Sequence, residues 1–150
     1  MDGVLVAKTI KSDLLREVDI KKASGLRAPH LAAILIGDHP ASASYIKNKI
    51  KSCAEAGYDS TLITKPATIV EEELIDMIMG LNENSSIDGF IVQLPLPKHI
   101  DDNKILLSIE PRKDVDGFHP ANVGRMVLGL PSYIPATPFG ILKLLEYYQI

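Results

Sequence analysis

Leu31-Ala32-Ala33-Ile34-Leu35-Ile36 is an unbroken apolar run, closed by Gly37-Asp38-His39-Pro40. A run without polar alternation fits a strand buried on both faces, as in a parallel sheet. Phe90-Ile91-Val92-Gln93 reads the same way, led in by Asp88-Gly89 and stopped by Pro95 and Pro97, and Thr61–Thr64 is a shorter strand ended by Pro66. The intervening segments have helical spacing. Ala7, Ile10, Leu14 and Val18 predict an opening helix that ends near Gly25; Ile46, Ile50, Cys53 and Gly57 mark a second; Glu71–Leu81, with Leu74, Ile78 and Leu81 inward, is a third. Asp101 caps a helix bearing Ile105, Leu106 and Ile109, which Pro111 closes. Asp114–Phe118 reads as a last short strand. Thr137-Pro138 reads as a helix start, with a hydroxyl cap and a proline in the first turn. This order predicts an α/β fold: a three-layer α/β/α arrangement around a small, mainly parallel sheet built from right-handed βαβ units. In open sheets of this kind ligands bind beyond the carboxyl ends of the strands. The loops after Ile36, Val92 and Val115 are the ones to inspect.

A chain of 150 residues is one domain, 1–150, large enough to bury a core without staples. There are 16 basic and 19 acidic residues, a net charge of −3 and no basic block, which excludes a nucleic-acid backbone as the natural partner. Three Phe, five Tyr and no Trp make a poor base-stacking platform. No apolar run approaches a membrane span, and the amino terminus lacks the basic-then-apolar order of a secretory signal. One cysteine, Cys53, forms no internal disulfide, which fits a cytoplasmic protein. His30, His39, His99 and His119 are scattered and have no cysteine partner nearby, so no metal site is expected.

Chemistry-bearing residues sit at those loops. Tyr45 and Lys49 are one helical turn apart and share a face. Each precedes an apolar stripe residue, Ile46 or Ile50, so the pair lies about 100° round from the core stripe. That is the rim of a cleft. A lysine there presents its ammonium to developing negative charge or moves a proton, and a tyrosine offers a flat ring and a hydroxyl. The bland alternative is a solvated surface pair. The same Tyr-x-x-x-Lys spacing occurs in short-chain dehydrogenases, but those need a glycine-rich phosphate loop after the first strand, and Gly37–Ser42 has a single glycine. Gln93, at a strand's carboxyl end, can aim a donor and an acceptor into a cleft; Pro95 and Pro97 stiffen the adjoining loop, although a rigid structural turn explains them equally. Asp116, beside the permissive Gly117, can accept two hydrogen bonds from adjacent N–H donors of an amino-pyrimidine ring. Asp114 reads as structural, a cap or an ion-pair partner of Lys113.

Four segments, in this order, carry a resemblance: Tyr45-Ile46-Lys47-Asn48-Lys49, Gln93-Leu94-Pro95-Leu96-Pro97, Lys113-Asp114-Val115-Asp116-Gly117-Phe118 and Pro135-Ala136-Thr137-Pro138-Phe139-Gly140. Together they resemble the folate-binding catalytic domain of the bifunctional methylenetetrahydrofolate dehydrogenase/cyclohydrolases. Gly37 to Gly57 matches that family's pattern G-x-x-P-A-S-x-x-Y-x-x-x-K-x-K-x-C-x-x-x-G at every fixed position. The resemblance implies that Tyr45 stacks beside the folate, that Lys49 is the central catalytic group, that Gln93 bonds and tunes the lysine, and that Asp116 holds the pterin head. It implies that the loop carrying Pro138 and Gly140 closes over the ligand. Ala136 stands where a cysteine is common, which removes any role for a thiol there.

The resemblance further implies oxidation of 5,10-methylenetetrahydrofolate with NADP and hydration of the methenyl product to 10-formyltetrahydrofolate. It sets these reactions in one-carbon metabolism serving purine, histidine and methionine biosynthesis, and in a homodimer. The expected dinucleotide-binding domain is absent from these 150 residues, so no cofactor-binding residue is assigned and dehydrogenation by them alone is not expected. Two other readings stand beside this one: a folate-binding domain without turnover, and an unrelated α/β module that binds a partner protein through exposed apolar surface.

Overall fold

The computed structural model describes the backbone of residues 1–150 and the side chains of all but Ala41 and Ala43. Its elements run in the order α1 (Gly3–Ala23), β1 (His30–Ile36), α2 (Pro40–Glu55), β2 (Asp59–Lys65), α3 (Glu71–Glu83), β3 (Gly89–Val92), α4 (Asp102–Ser108), α5 (Pro120–Val127) and α6 (Ala136–Tyr147). The strands form a sheet in the order β2-β1-β3, with both pairings parallel. β1 is central, as its unbroken apolar run requires, with Ile34 between Ile63 and Val92. No helix among the described residues is long and apolar enough to cross a membrane.

Alternate residues of β1 feed two cores. Ala32, Ile34 and Ile36 join Phe90 and Val92 against Leu74, Ile78 and Leu81 of α3 and Ile105 of α4. Ala33, Leu35 and Ile91 face the other way, against Ile46 and Ile50 of α2 and against Val115. This is the three-layer arrangement the pattern predicts. α1 packs outside α2 and touches α6. The loop after α2 comes so close to α1 that a Cβ on Gly57 would sit 2.8 Å from Leu15 Cδ1. Local capping agrees with composition: the Asp2 carboxylate accepts the N–H groups of Val4 and Leu5, and the Asp101 carboxylate those of Asn103 and Lys104.

Three local expectations need correction. Asp114–Phe118 is not a strand: it makes one parallel bridge, Phe90 to Asp114, and then turns. Asp114 does not pair with Lys113, whose ammonium instead donates to the carbonyls of Leu81 and Asn84. α6 starts at Ala136 with Pro135 at the cap, so Thr137 and Pro138 lie inside its first turn. α5, which the apolar spacing did not reveal, starts at His119-Pro120, where the imidazole Nδ1 accepts the N–H of Ala121.

Candidate active site

The carboxyl end of β3 opens towards one cavity of about 230 Å³, whereas the loop directly after Ile36 is not in its lining. Its lining comes from three directions: Tyr45 and Lys49 from α2, Val92 to Leu94 from the end of β3, and Asp116 and Phe118 from the later turn together with Pro135–Pro138 at the cap and first turn of α6. The N–H of Gln93 donates to the carbonyl of Ile34, which extends the β3 ladder by one bond and fixes where that side chain leaves the sheet.

Lys49 and Asp116 meet across the cavity. The ammonium donates to Asp116 Oδ1 at 3.5 Å, a long contact, and both side chains are about three-quarters buried. Lys49 Nζ also lies 5.0 Å from the centre of the Tyr45 ring, within cation–π range. Tyr45 itself is 53% exposed. Cys53, one turn beyond Lys49 on α2, is half-buried; burial pushes its thiol upward from the usual value, and the nearby Lys49 ammonium opposes this.

Gln93 uses only half of its amide. Nε2 donates to the carbonyl of Leu94 at 2.7 Å, while Oε1 is buried and has no partner. A buried acceptor without a protein donor is uncommon and is open to an ordered water or a bound ligand. The Gln93–Lys49 bond that the resemblance implies is not made here. Gly140 also stands apart: it sits on α6, outside the cavity lining, with open space beyond its Cα.

The comparisons with known proteins bear on this constellation. Residues 1–116 match the family model described as tetrahydrofolate dehydrogenase/cyclohydrolase, catalytic domain. The chain belongs to that family. The tetrahydrofolate dehydrogenase/cyclohydrolase likeness runs the whole length of the chain: it is 56% identical over 150 residues to the bifunctional protein FolD of Flavobacterium johnsoniae, covering all of this chain and 51% of that protein. The chain thus spans about half the length of the curated relatives it matches. Among solved structures, the FolD methylenetetrahydrofolate dehydrogenase/cyclohydrolase of Campylobacter jejuni superposes with a TM-score of 0.96 at 45% identity, over 99% of this chain and 53% of that one. The dehydrogenase-cyclohydrolase of Trypanosoma brucei, solved with NADP and an inhibitor, gives 0.93 at 33% identity, over 100% and 52%.

Within this family member, Tyr45, Lys49, Gln93, Asp116 and Pro138 border the same cavity. Sequence reasoning passed over Phe118, Thr137 and Leu94 as wall residues, although each neighbours a residue it selected. It also missed Asn122, which is buried and hydrogen-bonded to Asp114; a polar residue so placed gives no periodic signal. Among the described residues, no group of three or more His, Cys, Asp or Glu is arranged to hold a metal ion.

Proposed function

We propose that this chain is the folate-binding catalytic domain of a bifunctional methylenetetrahydrofolate dehydrogenase/methenyltetrahydrofolate cyclohydrolase acting in one-carbon metabolism. The observation that carries this reading is the meeting of an amine (Lys49), an acid (Asp116) and an unpaired amide oxygen (Gln93) at one cavity. In the hydration step, water adds to the cationic carbon between N5 and N10 of 5,10-methenyltetrahydrofolate. The added water loses a proton, and the bond from that carbon to N5 then opens, leaving the formyl group on N10. In this reading Lys49, as the neutral amine, takes one proton from the added water and returns it to N5, while the second water proton leaves to solvent as the formyl carbonyl forms. Asp116 is suited to the adjacent N–H donors of the pterin ring, and Tyr45 to its flat face.

The cavity, at about 230 Å³, is below the roughly 300–1,000 Å³ usual for a whole drug-sized ligand. It suits a bicyclic head group with the remaining folate outside. Oxidation with NADP is proposed only for the full-length protein, as are the homodimer and the service to purine, histidine and methionine synthesis. A cytoplasmic location accords with the free thiol of Cys53.

The test is Lys49→Met in a spectroscopic assay of methenyltetrahydrofolate hydrolysis, paired with calorimetric titration of tetrahydrofolate. Hydrolysis is expected to vanish while binding persists. Substantial turnover by the variant removes Lys49 from the mechanism. The small, open cavity favours one competitor, folate binding without turnover, which predicts binding but no hydrolysis by the unaltered chain.

A further inference from the structure

The turn that carries Asp116 is built around a different carboxylate. Asp114 is only 2% exposed. Its Oδ1 accepts the N–H groups of Gly117 (3.1 Å) and Phe118 (3.3 Å); its Oδ2 accepts the N–H of His119 (2.8 Å) and Nδ2 of Asn122 (2.9 Å). None of the ion pairs among the described residues includes Asp114. Burying a carboxylate is costly unless donors replace the water it loses. Here four N–H groups do so, three of them from the backbone immediately after Asp116.

Asn122 is itself 4% exposed, and its Nδ2 also donates to the carbonyl of Pro111 at 2.8 Å. It therefore ties Asp114 to the start of the loop as well as to α5. Asp116 lies between Asp114 and the N–H groups that Asp114 gathers, so its Cα has little freedom. Gly117 carries the constraint onward: a Cβ there would sit 2.8 Å from the carbonyl oxygen of Tyr133 and 3.0 Å from Pro135 N, so the turn presses directly on the segment leading to Pro135–Pro138.

Taking the proposed function as its basis, we infer that Asp114, locked by Asn122, is a positioning residue for substrate recognition. It fixes where the Asp116 carboxylate stands relative to Lys49 and to the pterin head. An amide cannot replace it. Asn at this position would bring a donor NH₂ against the Gly117 and Phe118 N–H groups in one orientation, or against the His119 N–H and the Asn122 NH₂ in the other, and all four are donors themselves.

The test uses the full 150-residue chain with Asp114→Asn and, as a milder change, Asn122→Ala. In the ligand-free protein, nuclear magnetic resonance reads the amide protons of Gly117, Phe118 and His119 and the carboxyl carbon of Asp116. Calorimetry reads tetrahydrofolate affinity, with and without Asp116→Asn. Both variants are expected to move these resonances. Asp114→Asn is expected to weaken binding about tenfold or more when Asp116 is present, and less than about twofold when Asp116→Asn is already in place, because residues acting through one group are not additive.

Equal losses in both backgrounds, or unmoved resonances in a folded variant, overturn the inference and make Asp114 a general stabiliser. If Asp114→Asn does not fold, Asn122→Ala decides by the same readouts. Failure of the unaltered chain to bind tetrahydrofolate sinks the folate reading instead, and the resonances alone then decide the positioning role.

Discussion

At Gly117 a single methyl group has consequences on both sides of the loop. Its φ of +70° lies in the left-handed region, and the added Cβ would meet backbone atoms rather than a yielding side chain. Gly117→Ala is expected to lower stability by about 1–3 kcal/mol, read from urea unfolding, and to weaken tetrahydrofolate binding as the cavity wall shifts. An unchanged midpoint would show that the loop adapts freely. Asp116→Asn keeps shape and removes charge; it is expected to raise the tetrahydrofolate dissociation constant about tenfold, and an unaltered constant in calorimetry would count against the pterin contact. At this scale the sequence was informative about exposed chemistry and less so about buried chemistry. Gln93 stands at a strand end beside stiff prolines, Lys49 one helical turn from Tyr45, and Asp116 beside a turn glycine, and residue type and place identify them. Asp114 and Asn122 owe their importance to which N–H groups converge on them, and no spacing along the chain encodes that convergence.

Elements were legible wherever burial dictated period. β1 and β3 are continuous apolar runs because helices cover both faces, and α3 shows Leu74, Ile78 and Leu81 because only one of its faces is covered. Leu74→Ala or Ile78→Ala, at sites with no exposed surface, is expected to cost about 2–5 kcal/mol in urea unfolding. The alternation of Asp114, Val115 and Asp116 imitates a strand, yet the Asp114 carboxylate draws the following N–H groups into a turn before a ladder can form. α5 escaped notice because only Asn122 among its residues is buried, so its apolar residues mark no inward stripe. A charged clasp joins the starts of two strands. Asp88, just before β3, accepts both terminal nitrogens of Arg27 (2.6 and 2.9 Å) and the N–H of His30 at the head of β1 (2.8 Å). The Arg27 guanidinium, aided by the His30 N–H, holds the Asp88 carboxyl below its ordinary value of 3.8. The folded value lies under the unfolded one, so the stabilisation is complete above the ordinary value and disappears as pH falls through the folded value. Asp88→Asn is expected to lower the unfolding midpoint by about 2–4 °C at neutral pH, with the difference shrinking to nothing in strong acid. A difference that persists there would refute the charge-based account.

Over the whole molecule, apolar surface is unevenly distributed. α6 buries none of its residues fully, and Ile141, Leu142 and Ile150 stand near Val127 and Leu128 in the sequence of a carboxyl-terminal third rich in exposed aliphatic side chains. The chain is therefore expected to bind a hydrophobic dye and to associate as its concentration rises in sedimentation velocity; a dye-silent monomer at every concentration would contradict this. The α3–α4 half of the larger core lies across the sheet from α2, and neither Leu74, Ile78 nor Ile105 reaches the cavity. A protein engineer hardening that far layer against heat must therefore leave Val92 and Leu94 alone, because these two side chains belong both to that layer and to the wall around the chemistry.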